Sequence, residues 1–203
     1  MKKIHPFLSV FLLIVGCSKD PINYETKLVE RDGVFYTKDT NKPYSGRVFS
    51  LYDDGKKKIK GSLKDGKSTG LWIWLHGNGQ KKYEGIWKSG KLDGLRTEYY
   101  ENGNKKQETN FINDKKNGFQ TEWYENGNKE VERTYKNGEL DGLHTQWYKN
   151  GKKEVERIYK NGELDGLHIQ WYVNGQKKVE GTFKNGKQVG SPKRWNKDGS
   201  IKE

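Results

Sequence analysis

Apolar side chains recur along this chain at intervals of two residues, in short runs closed by Asn-Gly. The segment from Gly142 to Asp165 shows the pattern: Gly-Leu-His-Thr-Gln-Trp-Tyr-Lys-Asn-Gly-Lys-Lys-Glu-Val-Glu-Arg-Ile-Tyr-Lys-Asn-Gly-Glu-Leu-Asp. A spacing of two predicts β-strands, whereas a helix would place its apolar residues three and four apart. The frequent glycines also oppose helix. Two β-prone runs with Asn-Gly between them read as a hairpin.

Side-chain parity selects the turn. Leu143, Thr145 and Trp147 share a face of the first strand, and Val155, Arg157 and Tyr159 share a face of the second. A two-residue Asn150-Gly151 turn would set Trp147 opposite Glu154. A three-residue loop, Lys149-Asn150-Gly151, sets Trp147 opposite Lys153 and Thr145 opposite Val155. Only the second gathers Trp147, Val155 and Tyr159 on one side, and a slip of one residue would reverse every side chain. The expected loop is a type I turn with Gly151 left-handed in a bulge.

The unit is copied in tandem. Gly46, Gly70, Gly94, Gly118, Gly142, Gly166 and Gly190 stand 24 residues apart, and Gly55, Gly79, Gly103, Gly127, Gly151, Gly175 and Gly199 follow each by nine. A third series, Gly66, Gly90, Gly138, Gly162 and Gly186, has Asp114 in its gap. Such a period predicts an elongated stack whose units depend on their neighbours for cover. The fold class is all-β: an elongated single-layer antiparallel meander of 24-residue hairpins, about 13 strands and some 60 Å long at ~4.8 Å per strand. The expected packed ladder holds Trp123, Trp147, Trp171 and Trp195 with Tyr135, Tyr159 and Phe183. The opposite, polar face carries the tyrosines Tyr100, Tyr124, Tyr148 and Tyr172, the lysines Lys136, Lys160 and Lys184, and an acidic row from Glu84 to Glu180. Residues 46–203 form the array, six full copies and a partial seventh; residues 28–45 form a capping hairpin around Arg31-Asp32-Gly33. Pro192 and its polar neighbours suit a terminal cap.

The first residues follow another pattern. Lys2 and Lys3 precede an apolar run from Phe7 to Val15. That run is shorter than the ~20 residues of a membrane-spanning helix and suits the core of a secretory signal. Leu13-Ile14-Val15-Gly16-Cys17 resembles a bacterial lipobox, and Cys17 is the chain's single cysteine. The resemblance implies residues 1–16 as a signal peptide, a lipid on Cys17, and residues 17–27 as a tether. It also implies an exported protein anchored to a membrane: the outer membrane of a Gram-negative cell, given Ser18, or otherwise the plasma membrane. With one cysteine, no disulfide framework supports the fold.

Composition adjusts the picture at two points. Hydrophobic residues are 31% and charged residues 33%, which would suit disorder. Aromatics at 13% that recur in register argue for a folded array instead. The net charge of +12 suits either a solvated lysine surface or an anionic partner; export makes nucleic acid a poor candidate.

The lines Glu98-Tyr99-Tyr100-Glu101-Asn102-Gly103 and Thr134-Tyr135-Lys136-Asn137-Gly138 resemble the MORN-repeat variant of many bacterial proteins, often labelled antitoxin components of the YwqK type. The resemblance runs from Gly46 to about Gly199, and it implies a curved antiparallel meander with two strands per repeat.

Catalysis and metal binding find little support. His144 and His168 occupy equivalent places in adjacent copies, ~9–10 Å apart, whereas zinc ligands lie ~2 Å from their metal. The acidic row approaches the ~6.5–9.5 Å spacing of inverting glycosidases, but beside lysines on a flat repeated face. No catalytic residue, metal or cofactor is therefore expected. The expected function is a non-catalytic envelope scaffold with a protein partner. The alternatives are an antitoxin or immunity-type partner of a toxin, and a carbohydrate or anionic-polymer surface built on the tyrosine row.

Overall fold

The computed structural model describes residues 20–202. The signal segment and Cys17 lie outside the described residues. The chain begins with β1 (Ile22–Asn23), a single helical turn α1 (Tyr24–Lys27), and the hairpin β2 (Leu28–Arg31) and β3 (Val34–Thr37). The array follows as β4 (Gly46–Leu51), β5 (Lys57–Lys64), β6 (Lys67–Leu75), β7 (Lys81–Lys88), β8 (Lys91–Tyr99), β9 (Lys105–Ile112) and β10 (Lys115–Trp123). It continues as β11 (Lys129–Lys136), β12 (Glu139–Trp147), β13 (Lys153–Lys160), β14 (Glu163–Trp171), β15 (Lys177–Lys184) and β16 (Lys187–Arg194). From β4 onward each strand pairs with the next, and β1 joins at the front to make a 14-stranded open sheet. The expected tandem meander is the observed fold.

Two turns alternate, each set by its residues. At Asn161-Gly162 both residues are left-handed (φ 48° and 82°), the geometry of a two-residue type I′ hairpin. At the other end the expected three-residue loop forms: the Gly151 N–H donates to the Tyr148 carbonyl at 2.8 Å and the Tyr148 N–H to the Lys152 carbonyl at 2.9 Å. Gly151 has φ +81°, and Trp147 stands opposite Lys153.

Beyond that pair the register departs from expectation. Gln146, not Thr145, faces Val155, and Thr145 faces Glu156. The register shifts beside Trp147, leaving Glu154 as an extra residue on β13: a bulge. It reverses parity, so Trp147 and Val155 lie on opposite faces. The single ladder expected of Trp147, Val155 and Tyr159 is therefore two ladders. One face, here the inner, carries His144, Gln146, Val155, Arg157 and Tyr159. The outer face carries Leu143, Thr145, Trp147, Glu156 and Ile158.

A second irregularity bends each odd-to-even strand pair. Arg157 faces His168 and Tyr159 faces Leu164, so two residues of β13 span four of β14. The bend falls on the first glycine series. Gly142, at φ +119°, is in a conformation that side chains rarely adopt, and a Cβ there would lie 3.2 Å from Thr134 Cβ. The inner face is the concave side. Lys116 Nζ reaches Gln120 Oε1 at 2.8 Å across Gly118, although four residues of straight strand span ~13 Å. This folding lets one layer bury Val131, Val155, Thr109 and Gln120 among the sheet's own side chains.

The N-terminal segments cover the inner face rather than extend the sheet alone. Leu28 is buried with Val48, Ile59, Leu63 and Trp72, against Tyr24 and Phe35. The Tyr24 and Phe35 rings meet edge-on at 5.9 Å. The expected hairpin is present, turning at Asp32-Gly33. The expected patternless tether is corrected over its last residues. Ile22 and Asn23 pair in parallel with Val48 and Phe49, and Asn23 caps α1 through Oδ1 to the Glu25 N–H at 3.1 Å. At the far edge the tail folds back, with Lys202 N–H on the Arg194 carbonyl at 2.9 Å, and Pro192 removes one donor from β16.

Replacing Gly142 by Ala is expected to cost about 1–3 kcal/mol in urea unfolding, because both its φ and its contact with Thr134 oppose a Cβ. Gly162→Asn, at a position of φ +82° with open space, is expected to cost well under half of that.

Candidate functional site

Three surfaces emerge from this register: a rim of tyrosines, an outer face and an inner trough.

At the rim of three-residue loops, the tyrosines stitch one repeat to the next. The hydroxyls of Tyr100, Tyr124, Tyr148 and Tyr172 donate to the backbone carbonyls of Trp123, Trp147, Trp171 and Trp195 at 2.7–3.0 Å. Tyr52 does the same to Leu75 at 2.6 Å. Burial raises the pKa of Tyr100, Tyr124 and Tyr148. At the opposite rim, Gly138, Gly162 and Gly186 donate to the carbonyls of Lys116, Leu140 and Leu164, one repeat back. Asp114, in the gap of that glycine series, adds a side-chain bond: its Oδ1 accepts from the Leu92 N–H at 2.7 Å.

The outer face has two zones. Near the tyrosine rim, Lys105, Lys129, Lys153 and Lys177 lie over the rings of Trp123, Trp147, Trp171 and Trp195, 5.6–5.9 Å from their centroids. Each lysine also pairs with the glutamate three residues on, as Lys153 with Glu156 at 2.5 Å. In a regular strand such residues would point to opposite faces; the bulge brings them together. Tyr99, at the tryptophan position, donates to Glu84 at 2.6 Å, and burial with that carboxylate pushes its pKa to about 12. Beneath this lattice Thr97, Thr145 and Ile169 are buried.

Beside it runs an exposed apolar stripe. Leu71, Leu95, Phe119, Leu143 and Leu167 follow one another at the same position of successive repeats, with Ile86 and Ile158 directly across from Leu71 and Leu143. Phe119 is 68% exposed. At its N-terminal end the stripe opens into a shallow pocket lined by Pro21, Arg47, Phe49, Ser62, Leu71 and Ile73.

The inner trough changes character along the array. In the first repeats it is aromatic: Trp74 stacks on Tyr83 at 4.2 Å and meets Trp87 at 5.2 Å. From the third repeat it is polar. Arg96 pairs with Glu98 at 2.6 Å and Arg133 with Glu122 at 2.7 Å. Glu122 Oε1 also accepts from the amides of Gln107, at 3.0 Å, and Gln120. Burial, then the nearby Arg133, lowers the Lys116 pKa. Farther on, His144 is buried beside Tyr159, and burial, followed by Arg133 and Arg157, lowers its pKa to about 4.

The sequence-derived sites thus separate. Tyr100, Tyr124, Tyr148 and Tyr172 stand at one rim, with their hydroxyls engaged by backbone. Lys136, Lys160 and Lys184 stand at the other rim on the outer face, so the structure does not bring the two groups together; Lys184 pairs there with Asp165 at 3.0 Å. Trp123, Trp147, Trp171 and Trp195 lie on the outer face, and Tyr135, Tyr159 and Phe183 on the inner. The apolar stripe and the polar trough were missed. Their signal lay in the residues after the first glycine series: a row kept apolar (Leu71 to Leu167), then a row that changes chemistry from copy to copy (Val48, Trp72, Arg96, Gln120, His144, His168). Among the described residues no group of three or more His, Cys, Asp or Glu could hold a metal, and no helix is long and apolar enough to cross a membrane.

Comparison with known families matches the MORN repeat variant at residues 92–113, 116–137, 140–161 and 164–185. The matched segments run from the end of one two-residue turn to the next, and each holds one three-residue loop. Residues 92–185 thus carry four copies of that repeat. No curated protein matches the chain.

Two outcomes follow. The pKa of His144 is depressed in the fold, so the folded state resists the proton that the unfolded chain accepts near pH ~6.5. Stability is present in full above that pH and falls as pH drops toward 4. His144→Gln, which copies Gln120 one repeat earlier, is expected to flatten that decline in melting temperature between pH 6.5 and 4. Tyr124→Phe, which leaves the Trp147 carbonyl without its donor, is expected to cost about 0.5–1.5 kcal/mol in urea unfolding.

Proposed function

We propose that this chain is a non-catalytic interaction scaffold, held at a bacterial envelope by a lipid on Cys17, that docks a protein partner along the apolar stripe of its outer face. The observation that carries the reading is the stripe itself. Five large apolar side chains at one repeat position remain open to solvent, in a chain of which only 31% is hydrophobic. Contiguous exposed apolar surface with a polar rim marks interaction sites. A rigid aromatic near its centre, here Phe119, is the kind of side chain that dominates binding energy.

The flank of the stripe narrows the partner's chemistry. Lys64, Lys67, Lys88, Lys91 and Lys115 line its first half, are exposed, and make no ion pair among the described residues. They favour a partner whose apolar contact is bordered by acidic side chains. On the opposite side the lysines are already paired with glutamates, which leaves that border neutral.

The test is capture from an envelope extract by the protein with Cys17→Ser. One stoichiometric protein is expected, and Phe119→Asp with Leu143→Asp is expected to weaken its capture at least 100-fold while the melting temperature stays within a few degrees. Capture unchanged in the double variant, or retention of polysaccharide with no protein, would overturn the proposal.

A further inference from the structure

The inner trough contains its own template for binding a carboxylate. In the fourth repeat Arg133 Nη1 meets Glu122 Oε1 at 2.7 Å, and the Gln120 amide donates to the same oxygen. Moving along the chain by one period places Arg157 where Arg133 stands, His144 where Gln120 stands, and Gln146 where Glu122 stands. The cationic and donor positions persist, and the carboxylate becomes a neutral amide.

The consequence is visible in the side chains. Arg157 faces His144 on one side and His168 on the other, each directly across a strand boundary. Residues so placed have Cβ atoms ~4.5–5.5 Å apart. Arg157 makes no ion pair or hydrogen bond among the described residues, and its Nε is buried without a partner. Both ring nitrogens of His144 and Nε2 of His168 are likewise buried and unpartnered. His144 is only 6% exposed. The trough residue following His168 by two is Gln170, again neutral, and it stands across from Val155. Buried polar groups are nearly always satisfied, and here the Nε of a half-buried arginine and three imidazole nitrogens are not. Three neighbouring groups that can donate to one acceptor, with no acid among their cross-strand partners, define an anion site.

We infer that His144, Arg157 and His168 bind a small oxyanion, a carboxylate or a phosphoryl group, in the place that Glu122 fills for Arg133. The guanidinium supplies the charge and two of its N–H groups. The imidazoles donate from either side, and Gln146 offers its amide where a glutamate would have closed the site. Arginine suits planar, two-point recognition of such groups. The site is on the face opposite the apolar stripe, so it can be filled whether or not a protein is docked there.

The experiment uses the protein with Cys17→Ser and follows the imidazole resonances of His144, His168 and His76 during titration with acetate or with inorganic phosphate, against chloride at constant ionic strength. Saturable shifts of His144 and His168, with His76 still, are expected. A response to acetate alone identifies a carboxylate site, and to phosphate alone a phosphoryl site. Gln146→Glu restores the internal acid, and it is expected to weaken the response at least tenfold while raising the melting temperature; Arg157→Gln is expected to abolish the response. The inference fails if the wild-type resonances do not saturate, if His76 moves in parallel, or if Gln146→Glu responds as the wild type does. The Gln146→Glu arm decides the matter even where Arg157→Gln does not fold.

Discussion

A strand sends alternate side chains to opposite faces, so one inserted residue exchanges everything beyond it. This array inserts one at every three-residue loop and two more at every glycine bend. The first insertion decides which ladder faces which way. The second turns a flat ribbon into a trough. Without the bulge at Glu154, Lys153 and Glu156 would point apart, and Trp147 would compete with Val155 and Tyr159 for the same side. With it, the tryptophans roof the outer face under a lattice of lysines and glutamates, and the inner face is left to Val155, Tyr159 and the row headed by Val48.

That division explains how a one-layer sheet with few apolar residues holds together. Neither face has a second layer above it along most of its length. The inner face folds on itself across the glycine line, and the outer face uses the long stems of Lys129 and Lys153 as cover, with the charged ends over the rings and on Glu132 and Glu156. Neighbouring hairpins are then joined at both rims by bonds to backbone carbonyls, from tyrosine at one end and from the turn glycine at the other. Each contact spans about one period, so a unit's stability resides largely in its neighbours. At the front, where no earlier hairpin exists, Leu28, Tyr24 and Phe35 supply the cover from above.

The strands, the period and the Asn-Gly turns were legible in the sequence because each is a local property: spacing of two, and glycine or asparagine where φ is positive. The bulge was not, because the residues on either side of it still alternate and the added one shows only in how two strands meet. It had a trace. Lysine and glutamate three apart recur as Lys81 and Glu84, Lys129 and Glu132, Lys177 and Glu180, a spacing without purpose on a regular strand. The tyrosine row showed the opposite difficulty. Its regularity invites a ligand-binding reading, but the hydroxyls of Tyr124 and Tyr148 are bonded to carbonyls 23 residues ahead, a partner that no local pattern names. The short strand at Ile22 and Asn23 was hidden by its length.

Positions that repeat need a reason, and the fold supplies one for most of them. Gly142 is required by its backbone, Tyr148 by the rim, Glu156 by its lysine. The stripe is different. Across the strand boundary from it stand Ile86, Asn110, Thr134, Ile158 and Thr182, so the outer face accepts polar and apolar residues alike at that point. Nothing in the packing demands that Leu71, Leu95, Phe119, Leu143 and Leu167 remain large and apolar while facing water. That exposed row is the surface on which the proposed docking rests. The trough row beneath varies from Val48 to His168 without disturbing register, so the chemistry of the inner face changes from copy to copy on one scaffold.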